Sequence, residues 1–336
     1  MTEKTYGGLS GVPTPKAIAQ TKNQKVSGPV IKTQKIEKEN DQLTKDEIAK
    51  LIQAGEIAKK VKLFAREIIK PGISLLEIAN KIDAKIEELG GKSAFPVNLS
   101  INEIAAHSTP AFNDETKAHG LLKIDIGVHI DGYIADTAFS LDLENKEENK
   151  KLIEAAELAL KSAIDVASLT TPLRKIGKAI ESAIREKGFQ PIINLSGHSV
   201  EQYEVHSGLT IPNYDNSQEF ELGEGSFAIE PFATSGAGRV KDGRPSGIYH
   251  LENDVQVRDS FAREVLQFIK EEYQTLPFCS RWLVKKFGSR ALIALKRLEE
   301  AGILHHYHQL VETDKKPVAQ AEHTIILTEK EKIVTT

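Results

Sequence analysis

The chain contains one internal repeat, and this repeat constrains its fold more than any other feature. A segment ending in Asn98-Leu-Ser100 recurs as one ending in Asn194-Leu-Ser196. Before each copy, isoleucines recur at helical spacing, as Ile78, Ile82 and Ile86 and then as Ile176, Ile180 and Ile184. Because only two copies are present, the repeat predicts two related α+β halves about a pseudo-two-fold axis rather than a solenoid. Such halves commonly share a cleft in which a ligand binds.

A hairpin with two aspartates on one face is predicted for residues 121–141. The Asp131-Gly132 pair lies between apolar, alternating segments and favours a two-residue turn. Side chains alternate faces along a strand, so this turn directs Asp125 and Asp136 to one face as diagonal neighbours. Two carboxylates stay ionised in a dry site only beside a counter-charge, which indicates a metal ion unless the face is solvated. The predicted pairs are Ile130 with Tyr133, Gly127 with Asp136, and Asp125 with Ala138.

Composition and length limit the class of protein. The chain has 336 residues and a net charge of −4, which disfavours a general nucleic-acid binder. The single cysteine, Cys279, excludes an intrachain disulfide framework and fits a reducing compartment. No apolar run approaches the ~18 residues that span a membrane, and the N-terminus lacks the apolar core of a signal peptide. We therefore predict a cytoplasmic protein without a membrane segment.

Residues 1–43 differ from the rest of the chain because they show no hydrophobic period. They are rich in lysine, threonine, glutamine, glycine and proline, with few acidic residues. This composition predicts a disordered N-terminal tail. Two interpretations of the tail are open. It keeps the protein soluble, or its lysines dock weakly to an anionic assembly such as a ribosome.

Helix signals begin at Thr44 and change character further along the chain. Thr44-Lys-Asp-Glu47 is a capping box that predicts the start of one helix, and Ser74-Leu-Leu-Glu77 predicts a second in the same way.

At about residues 254–316, mixed charges accompany three short predicted helices and then strand-like pieces. This segment resembles a winged-helix module but lacks the basic stripe of a DNA-binding surface, so we predict a covering insert and no specific DNA partner. The three helices are predicted near residues 260–273, 278–286 and 289–301.

Polar residues outside the hairpin interrupt several apolar segments. Glutamate is rare at fully buried positions unless it is paired, so Glu230 and Glu322 in apolar strands indicate a site. His107 and His206 follow the two repeat copies at comparable distances, which predicts that they face each other across the cleft. The candidate metal ligands on the floor of that cleft are Asp125, Asp136, His198, Glu230 and Glu322.

The candidate ligand set predicts a hydrolase. Four carboxylates and one imidazole carry four negative charges, enough to neutralise two divalent cations. An oxygen-rich set suits Mn, Fe or Co as well as Zn, and it disfavours a structural zinc site, which prefers thiolates. Two metal ions ~3.5–4 Å apart can activate a bridging water and polarise a carbonyl group.

Together these motifs resemble the methionine aminopeptidases of the pita-bread fold, over about residues 45–336. The long insert between Glu230 and Glu322 resembles the type 2 enzymes of eukaryotes and archaea rather than the compact type 1. The resemblance implies an α+β pita-bread catalytic domain at residues 44–336 that carries the winged-helix-like insert. The matching segments are Lys123-Ile-Asp-Ile-Gly-Val128, Ile134-Ala-Asp-Thr-Ala138, Gly197-His198, Ala228-Ile-Glu-Pro-Phe232 and Glu322-His-Thr324.

The resemblance also implies a role for each metal ligand. Asp125 would bind one metal ion, and His198 and Glu230 would hold the other. Asp136 and Glu322 would bridge both ions. A bridging hydroxide would attack the carbonyl of an N-terminal methionine, and Glu230 would also transfer the proton.

Further implied roles concern the substrate. His206 would stabilise the developing oxyanion, and His107 would hold the substrate by its α-amino end or the scissile amide. Phe95, Val205 and Tyr307 match positions that line the methionine pocket of the family. The implied substrate is the N-terminus of a newly made polypeptide. Its second residue would be small, because the cleft admits the chain end-on.

Three departures from the family pattern concern the shape of the pocket rather than the ligands. Ala321 replaces an aromatic residue, Ser108 replaces a tyrosine, and the segment 108–124 is slightly shorter.

Two alternatives to the peptidase assignment are a pita-bread relative without metal that acts as a binding protein, and an X-Pro aminopeptidase or prolidase. The second usually carries a large extra N-terminal domain, which a tail of residues 1–43 cannot supply.

Overall fold

The structure, a computed structural model, describes residues 42–336. The tail predicted for residues 1–43 therefore lies outside the described residues, except for its last two positions. The described helices are α1 (Lys45–Ile68), α2 (Leu75–Glu88), α3 (Glu147–Val166), α4 (Leu173–Glu186), α5 (Ser260–Glu272), α6 (Ser280–Phe287) and α7 (Ala291–Glu300). The described strands are β1 (Lys92–Ser93), β2 (Asn98–Ile101), β3 (Ile104–Ala106), β4 (Leu121–Ile130), β5 (Tyr133–Asp142), β6 (Gln190–Pro191), β7 (Ser196–Val200), β8 (Thr210–Pro212), β9 (Gly225–Ile229), β10 (Phe232–Thr234), β11 (Val240–Leu251), β12 (Phe278–Cys279), β13 (Leu304–Glu312), β14 (Val318–Gln320), β15 (His323–Leu327) and β16 (Lys332–Val334).

The start of α1 is confirmed in its hydrogen bonds, whereas the start of α2 differs in one detail. Thr44 Oγ1 accepts from the Glu47 N–H, and the Glu47 carboxylate accepts from the Thr44 N–H, which completes the capping box. Ser74 is also an N-cap residue, but its hydroxyl makes no capping bond. There the main chain pairs with Lys117 instead, and the Glu77 carboxylate pairs with Lys81. The capping box predicted for α2 is therefore wrong, although the helix begins where the sequence places it.

The hairpin of β4 and β5 has the register that its turn predicts. Asp131 and Gly132 both have positive φ, at 50° and 86°, as a type I′ two-residue turn requires. The pairing then runs Ile130 with Tyr133, Gly127 with Asp136, and Asp125 with Ala138. The apolar face of β4 packs against α1 and α2 in one buried core, so the opposite face is free to carry the two aspartates.

The order helix, helix, short strand, longer strand occurs twice, as the repeat predicts. α1 and α2 precede β1 and β2, and α3 and α4 precede β6 and β7. The repeated isoleucines point inward in both halves, where they belong to two separate cores. β4 lies in a sheet with β1, β2 and β5, while the other half forms a sheet in the order β16-β15-β9-β7-β8. Three of the five predicted metal ligands lie in strands of these two sheets, and the other two, Glu230 and Glu322, are each next to such a strand in the chain.

Between the paired strands β11 and β13, the insert contains α5, the short strand β12, α6 and α7. The helices lie near the three predicted positions and surround their own apolar core, to which Leu266, Phe278 and Leu298 contribute. β13 also pairs with β3 of the first half, so the insert continues a sheet of the catalytic domain. None of the described helices combines the length and apolarity needed to cross a lipid bilayer.

Candidate metal centre and active site

The five predicted metal ligands converge in one buried chamber. Asp125 and Asp136 lie on β4 and β5, His198 lies on β7, Glu230 follows β9, and Glu322 precedes β15. Ligand atoms of Asp136, His198 and Glu322 all lie within 4.8 Å of one another. His198 Nε2 is 3.9 Å from Asp136 Oδ2 and 3.6 Å from Glu230 Oε1. Asp125 is close enough to Asp136 for their carboxyl groups to hydrogen-bond. Residues that are scattered along the sequence therefore form one cluster.

The chamber holds more negative charge than its surroundings compensate. Burial, and then neighbouring carboxylates, raise the pKa values of Asp136 and Glu322 well above the ordinary value, and burial followed by Asp125 does the same for Glu230. Burial raises the pKa of Asp125 to about 7. Among the described residues, Asp125 Oδ1, Asp136 Oδ1 and Glu322 Oε2 are buried without a hydrogen-bond partner. Unpartnered oxygens around concentrated negative charge fit divalent cations.

His198 has the charge state that metal binding requires. Burial, and then the charge of His206, lower the pKa of His198 to about 3, so its imidazole is neutral and offers a lone pair. Its Nδ1 lies 3.4 Å from the Ser199 carbonyl oxygen, which leaves Nε2 facing the carboxylates. Its ring also contacts the ring of His206 edge-on, with centroids 4.3 Å apart. The site therefore continues from the ligands directly to a predicted catalytic histidine.

A cavity beside the chamber is lined by every residue that the sequence assigns to the substrate. His107 and Tyr307 contact each other edge-on there, with ring centroids 5.1 Å apart. His107 has a φ of 57°, an uncommon left-handed conformation that directs its ring from the end of β3 into the cavity. The lining residues are Phe95, His107, Asp136, Val205, His206, Ile248, Pro277 and Tyr307. Sequence reasoning missed Ile248 and Pro277, because an isolated apolar side chain carries no chemical signal.

Gly127 is needed for the position of Phe95. A Cβ atom at Gly127 would lie 2.3 Å from the Phe95 ring, far inside van der Waals contact. Gly127 is also the hairpin partner of Asp136. The missing side chain therefore lets an aromatic ring approach the strand directly beside a candidate metal ligand.

Gln320 is a site residue that the sequence analysis missed. Its Nε2 donates to Glu230 Oε2 at 3.2 Å, and its side chain lies close enough to Asp125 to lower the pKa of that carboxyl group. Gln320 is buried, at 1% exposure. The available signal was its position two residues before Glu322 in an extended segment, since side chains at that spacing point to the same face.

Two of the departures from the family pattern have defined surroundings. Ser108 is buried, its hydroxyl accepts from Gln309 Nε2 at 3.0 Å, and its N–H donates to Asn98 Oδ1 at 3.0 Å. Ala321 lines a separate surface cavity with Ala138 and Lys62. Neither departure replaces one of the five predicted metal ligands.

Comparison with known proteins identifies the family. A family model described as metallopeptidase family M24 matches residues 49–259. The methionine aminopeptidase of Pyrococcus abyssi is 52% identical over 295 residues, which is 86% of this chain and 99% of that protein. Among solved structures, a thermophilic Arx1 is similar with a TM-score of 0.77 at 17% identity, covering 87% of this chain and 91% of that one. A methionine aminopeptidase from Thermotoga maritima gives a TM-score of 0.63 at 22% identity, covering 88% and 98%.

The two kinds of comparison show different things. The solved structures are less than 25% identical to this chain, so they show the pita-bread fold alone. The relative from Pyrococcus abyssi is similar along nearly its whole length and carries the name of one activity. It does not favour the metal-free binding protein or the prolidase. The chain belongs to metallopeptidase family M24 and, within that family, to the methionine aminopeptidases.

Proposed function

We propose that this enzyme uses two divalent metal ions to remove the initiator methionine from newly made proteins whose second residue is small. The observation that carries the proposal is the grouping of Asp136, Glu322 and a neutral His198, with Glu230 and Asp125 beside them, next to a cavity with two more histidines. The cluster suits cations, and the cavity suits one apolar side chain. Together they fit hydrolysis of a peptide bond beside an apolar side chain.

Asp125, Asp136, His198, Glu230 and Glu322 are the residues that would hold the metal ions. The oxygen-rich set is compatible with Co, Mn, Fe or Zn. When bound, the ions supply Lewis-acid activation of a water molecule and of the scissile carbonyl group. The four carboxylates compensate their charge, which is why a cluster this acidic can stay buried.

Glu230 is placed to move a proton. Its Oε2 accepts from Gln320, while Oε1 faces His198 at 3.6 Å. One carboxylate oxygen is therefore fixed by an amide, and the other faces the chamber. We assign Oε1 as the atom that takes the proton from water and returns it to the leaving amine.

The two cavity histidines would contact the substrate. Burial lowers the pKa of His107 to about 4 and also lowers that of His206, so both rings are neutral near pH 7. His206, in contact with His198, would donate to the oxyanion that develops on the scissile carbonyl. His107 would bind the α-amino end or the scissile amide. The methionine side chain would pack among Phe95, Val205 and Tyr307.

The cellular setting of the proposal comes from composition. A single cysteine fits a reducing cytoplasm, where new polypeptide N-termini emerge from ribosomes. The lysines of residues 1–41, outside the described residues, favour weak electrostatic docking to the ribosome. We propose no membrane association and no specific DNA partner.

A panel of short peptides, assayed with each metal in turn, tests the proposed function. We expect cleavage of Met-Ala-Ser, slow cleavage when a bulky residue follows methionine, and no cleavage of X-Pro peptides with other first residues. Chelation with EDTA should abolish the activity, and readdition of Co²⁺ or Mn²⁺ should restore it. Cleavage of X-Pro peptides in preference to Met-Ala-Ser would overturn the proposal, as would full activity in EDTA.

A further inference from the structure

The outer edge of β5 faces the segment 320–324, and this contact joins two candidate ligands. In a hairpin with a two-residue turn, opposed residues alternate between pairs that exchange main-chain hydrogen bonds and pairs that do not. Asp136 is opposite Gly127 in a pair of the second kind, so its N–H and C=O point away from β4. They point toward Thr324, which lies two residues after Glu322.

One hydroxyl group, rather than a neighbouring strand, satisfies both main-chain groups of Asp136. The Asp136 N–H donates to Thr324 Oγ1 at 2.8 Å, and the Thr324 hydroxyl donates back to the Asp136 carbonyl oxygen at 2.8 Å. A second described contact to that carbonyl, from the Thr336 hydroxyl, is longer at 3.4 Å. Thr324 is 0% exposed, so water does not compete for these groups.

A similar arrangement occurs further along the contact, but there the hydroxyl group belongs to β5 and the main-chain groups belong to the segment 320–324. Ser140 Oγ accepts from the Gln320 N–H at 2.9 Å and donates to the Gln320 carbonyl oxygen at 2.8 Å. Between these two points, Thr137 Oγ1 donates to the Glu322 carbonyl oxygen at 2.9 Å. Within residues 42–336, the bond from the Glu322 N–H to the Ala138 carbonyl oxygen is the one direct main-chain link between these segments. Hydroxyl groups therefore take the place of a strand ladder.

This contact joins the two segments that carry the candidate ligands Asp136 and Glu322. Asp136 comes from the first half of the chain and Glu322 from its last part, and their side chains are close enough to hydrogen-bond each other. Without the Thr324 hydroxyl, the buried Asp136 N–H would have no partner, and a buried group in that state costs free energy until it moves. Metal ligands must be held within about 0.5 Å of their working geometry, so a small shift of this strand matters.

We propose that Thr324 is a positioning residue whose hydroxyl fixes the main chain at Asp136, sets its spacing from Glu322 and thereby raises the affinity for metal ions. The inference rests on the proposed function, in which both carboxylates bind metal. It adds a residue that touches neither metal nor substrate. It also distinguishes the hydroxyl of Thr324 from its methyl group.

Thr324→Val tests the inference, because valine keeps the shape of threonine and removes the hydroxyl. Thr234→Val is the matched control. Thr234 is also 0% exposed, accepts from the Gly236 N–H at 3.0 Å and donates to the Pro317 carbonyl oxygen at 2.9 Å, and neither partner is a candidate ligand. Calorimetric titration of the metal-free full chain with Mn²⁺ and with Co²⁺ gives the dissociation constants. The visible absorption of bound Co²⁺ reports its coordination.

We expect Thr324→Val to raise the metal dissociation constant about 10–100-fold, as loss of a group that orients ligands typically does. The Co²⁺ absorption bands should change with it. Thr234→Val should lower the melting temperature to a similar extent but leave the dissociation constant within a factor of two. Thr324→Ser, which keeps the hydroxyl, should bind metal nearly as wild type does.

Three results would count against the inference or against its basis. If Thr324→Val and Thr234→Val bind metal equally well, the hydroxyl has only a structural role. If Thr324→Ser is as weak as Thr324→Val, packing of the methyl group matters instead. If the wild-type protein and Thr234→Val both fail to bind metal, the proposed function itself is wrong. Should Thr324→Val not fold, Thr324→Ala removes the same hydroxyl without adding a branched side chain.

Discussion

At the scale of single residues, two neutral imidazoles beside the metal chamber define the chemistry of the cavity. Burial, and then the charge of His206, lower the pKa of His107 to about 4, and burial also lowers the pKa of His206. A neutral ring donates a hydrogen bond without adding positive charge next to a site for cations. In the proposed function, the cavity would therefore supply donors that respond to charge on the substrate but do not repel the metal ions.

Replacing His206 with alanine tests its assignment as an oxyanion donor. We expect kcat to fall by ~10²–10³, because one donor to the transition state is lost, while KM changes much less. Steady-state kinetics with Met-Ala-Ser gives both constants. Metal content must be measured in the same preparation, because the His206 ring contacts the candidate ligand His198. A wild-type kcat in fully loaded His206→Ala would remove this residue from the mechanism.

His129 makes the stability of the fold depend on pH. Its Nδ1 accepts from the Gly132 N–H at 3.0 Å, and burial, followed by the charge of Lys92, lowers its pKa to about 4. The unfolded chain binds a proton near pH 6.5, so this stabilisation is complete above that pH and is lost as the pH falls toward 4. Between pH 7 and pH 5 the loss is about 2 kcal/mol.

His129→Asn should remove that part of the pH dependence, because asparagine accepts the same hydrogen bond and does not titrate. Urea unfolding of the EDTA-treated proteins at pH 7 and pH 5 measures it. We expect the free energy of unfolding to fall less for the variant than for wild type, by about 2 kcal/mol. Equal losses in the two proteins would show that His129 titrates normally.

Single residues differ in how visible they are in a sequence. Glu230 and Glu322 could be predicted because an acidic residue in an apolar segment needs a counter-charge, although each lies just outside a strand rather than within it as the sequence predicts. Gln320 and Thr324 could not, because an amide or a hydroxyl is common in strands and its role depends on which main-chain group it meets. That partner is distant in sequence and is fixed only by the fold.

At the scale of elements, the insert is fastened to the first half by a buried ion pair. Arg281 Nη1 on α6 donates to Asp83 Oδ2 on α2 at 2.6 Å, and Trp282 Nε1 donates to the same oxygen at 2.8 Å. The Arg281 and Asp83 side chains are 5% and 15% exposed. Such a pair contributes little net stability when it is complete, but breaking it leaves a buried charge without compensation.

Asp83→Ala should therefore lower the free energy of unfolding by about 3–5 kcal/mol. Glu77→Ala is the matched control, because Glu77 lies on the same helix in an exposed pair with Lys81 and should have little effect. Chemical denaturation followed by fluorescence of the single tryptophan, Trp282, measures both changes. Equal effects of the two substitutions would contradict the role of the buried pair.

Elements defined by local rules could be predicted closely, and those defined by distant contacts could not. The hairpin register follows from its turn, and α1 begins at its capping box. The absent capping bond at Ser74 shows the limit, because a strand-like contact with Lys117 occupies that turn instead. β13 also pairs with β3, which is distant in sequence. The local pattern of neither strand predicts this pairing.

At the scale of the whole molecule, metal binding should stabilise the fold because the ligands come from both halves. A cation bound at 100 times its dissociation constant adds about 2.7 kcal/mol of stability. We expect Mn²⁺ to raise the melting temperature of the wild-type protein relative to EDTA. Glu322→Gln should lose most of that increase. In EDTA the same variant should melt higher than wild type, because burying a carboxyl group whose pKa is raised costs free energy at neutral pH and the neutral amide avoids that cost. Equal metal-dependent shifts would exclude Glu322 as a ligand.

The duplication also explains how much of the global arrangement the sequence reveals. Two copies of a helix-helix-strand pattern predict two similar halves, and the structure has them. How the halves meet depends on the contact between β5 and the segment 320–324, where hydroxyl groups replace ladder bonds. No periodicity marks such a contact, so sequence patterns predict each half better than their junction.

The positions of the candidate ligands along the chain determine when, during synthesis, all of them are present. Asp125 and Asp136 are made early in translation, and Glu322 is added only when most of the chain already exists. A partly synthesised molecule already contains both strands of the hairpin, yet it lacks one of the carboxylates of the proposed metal centre. Peptidase activity should therefore switch on late, as one event, and unfinished copies on the ribosome should remain inert.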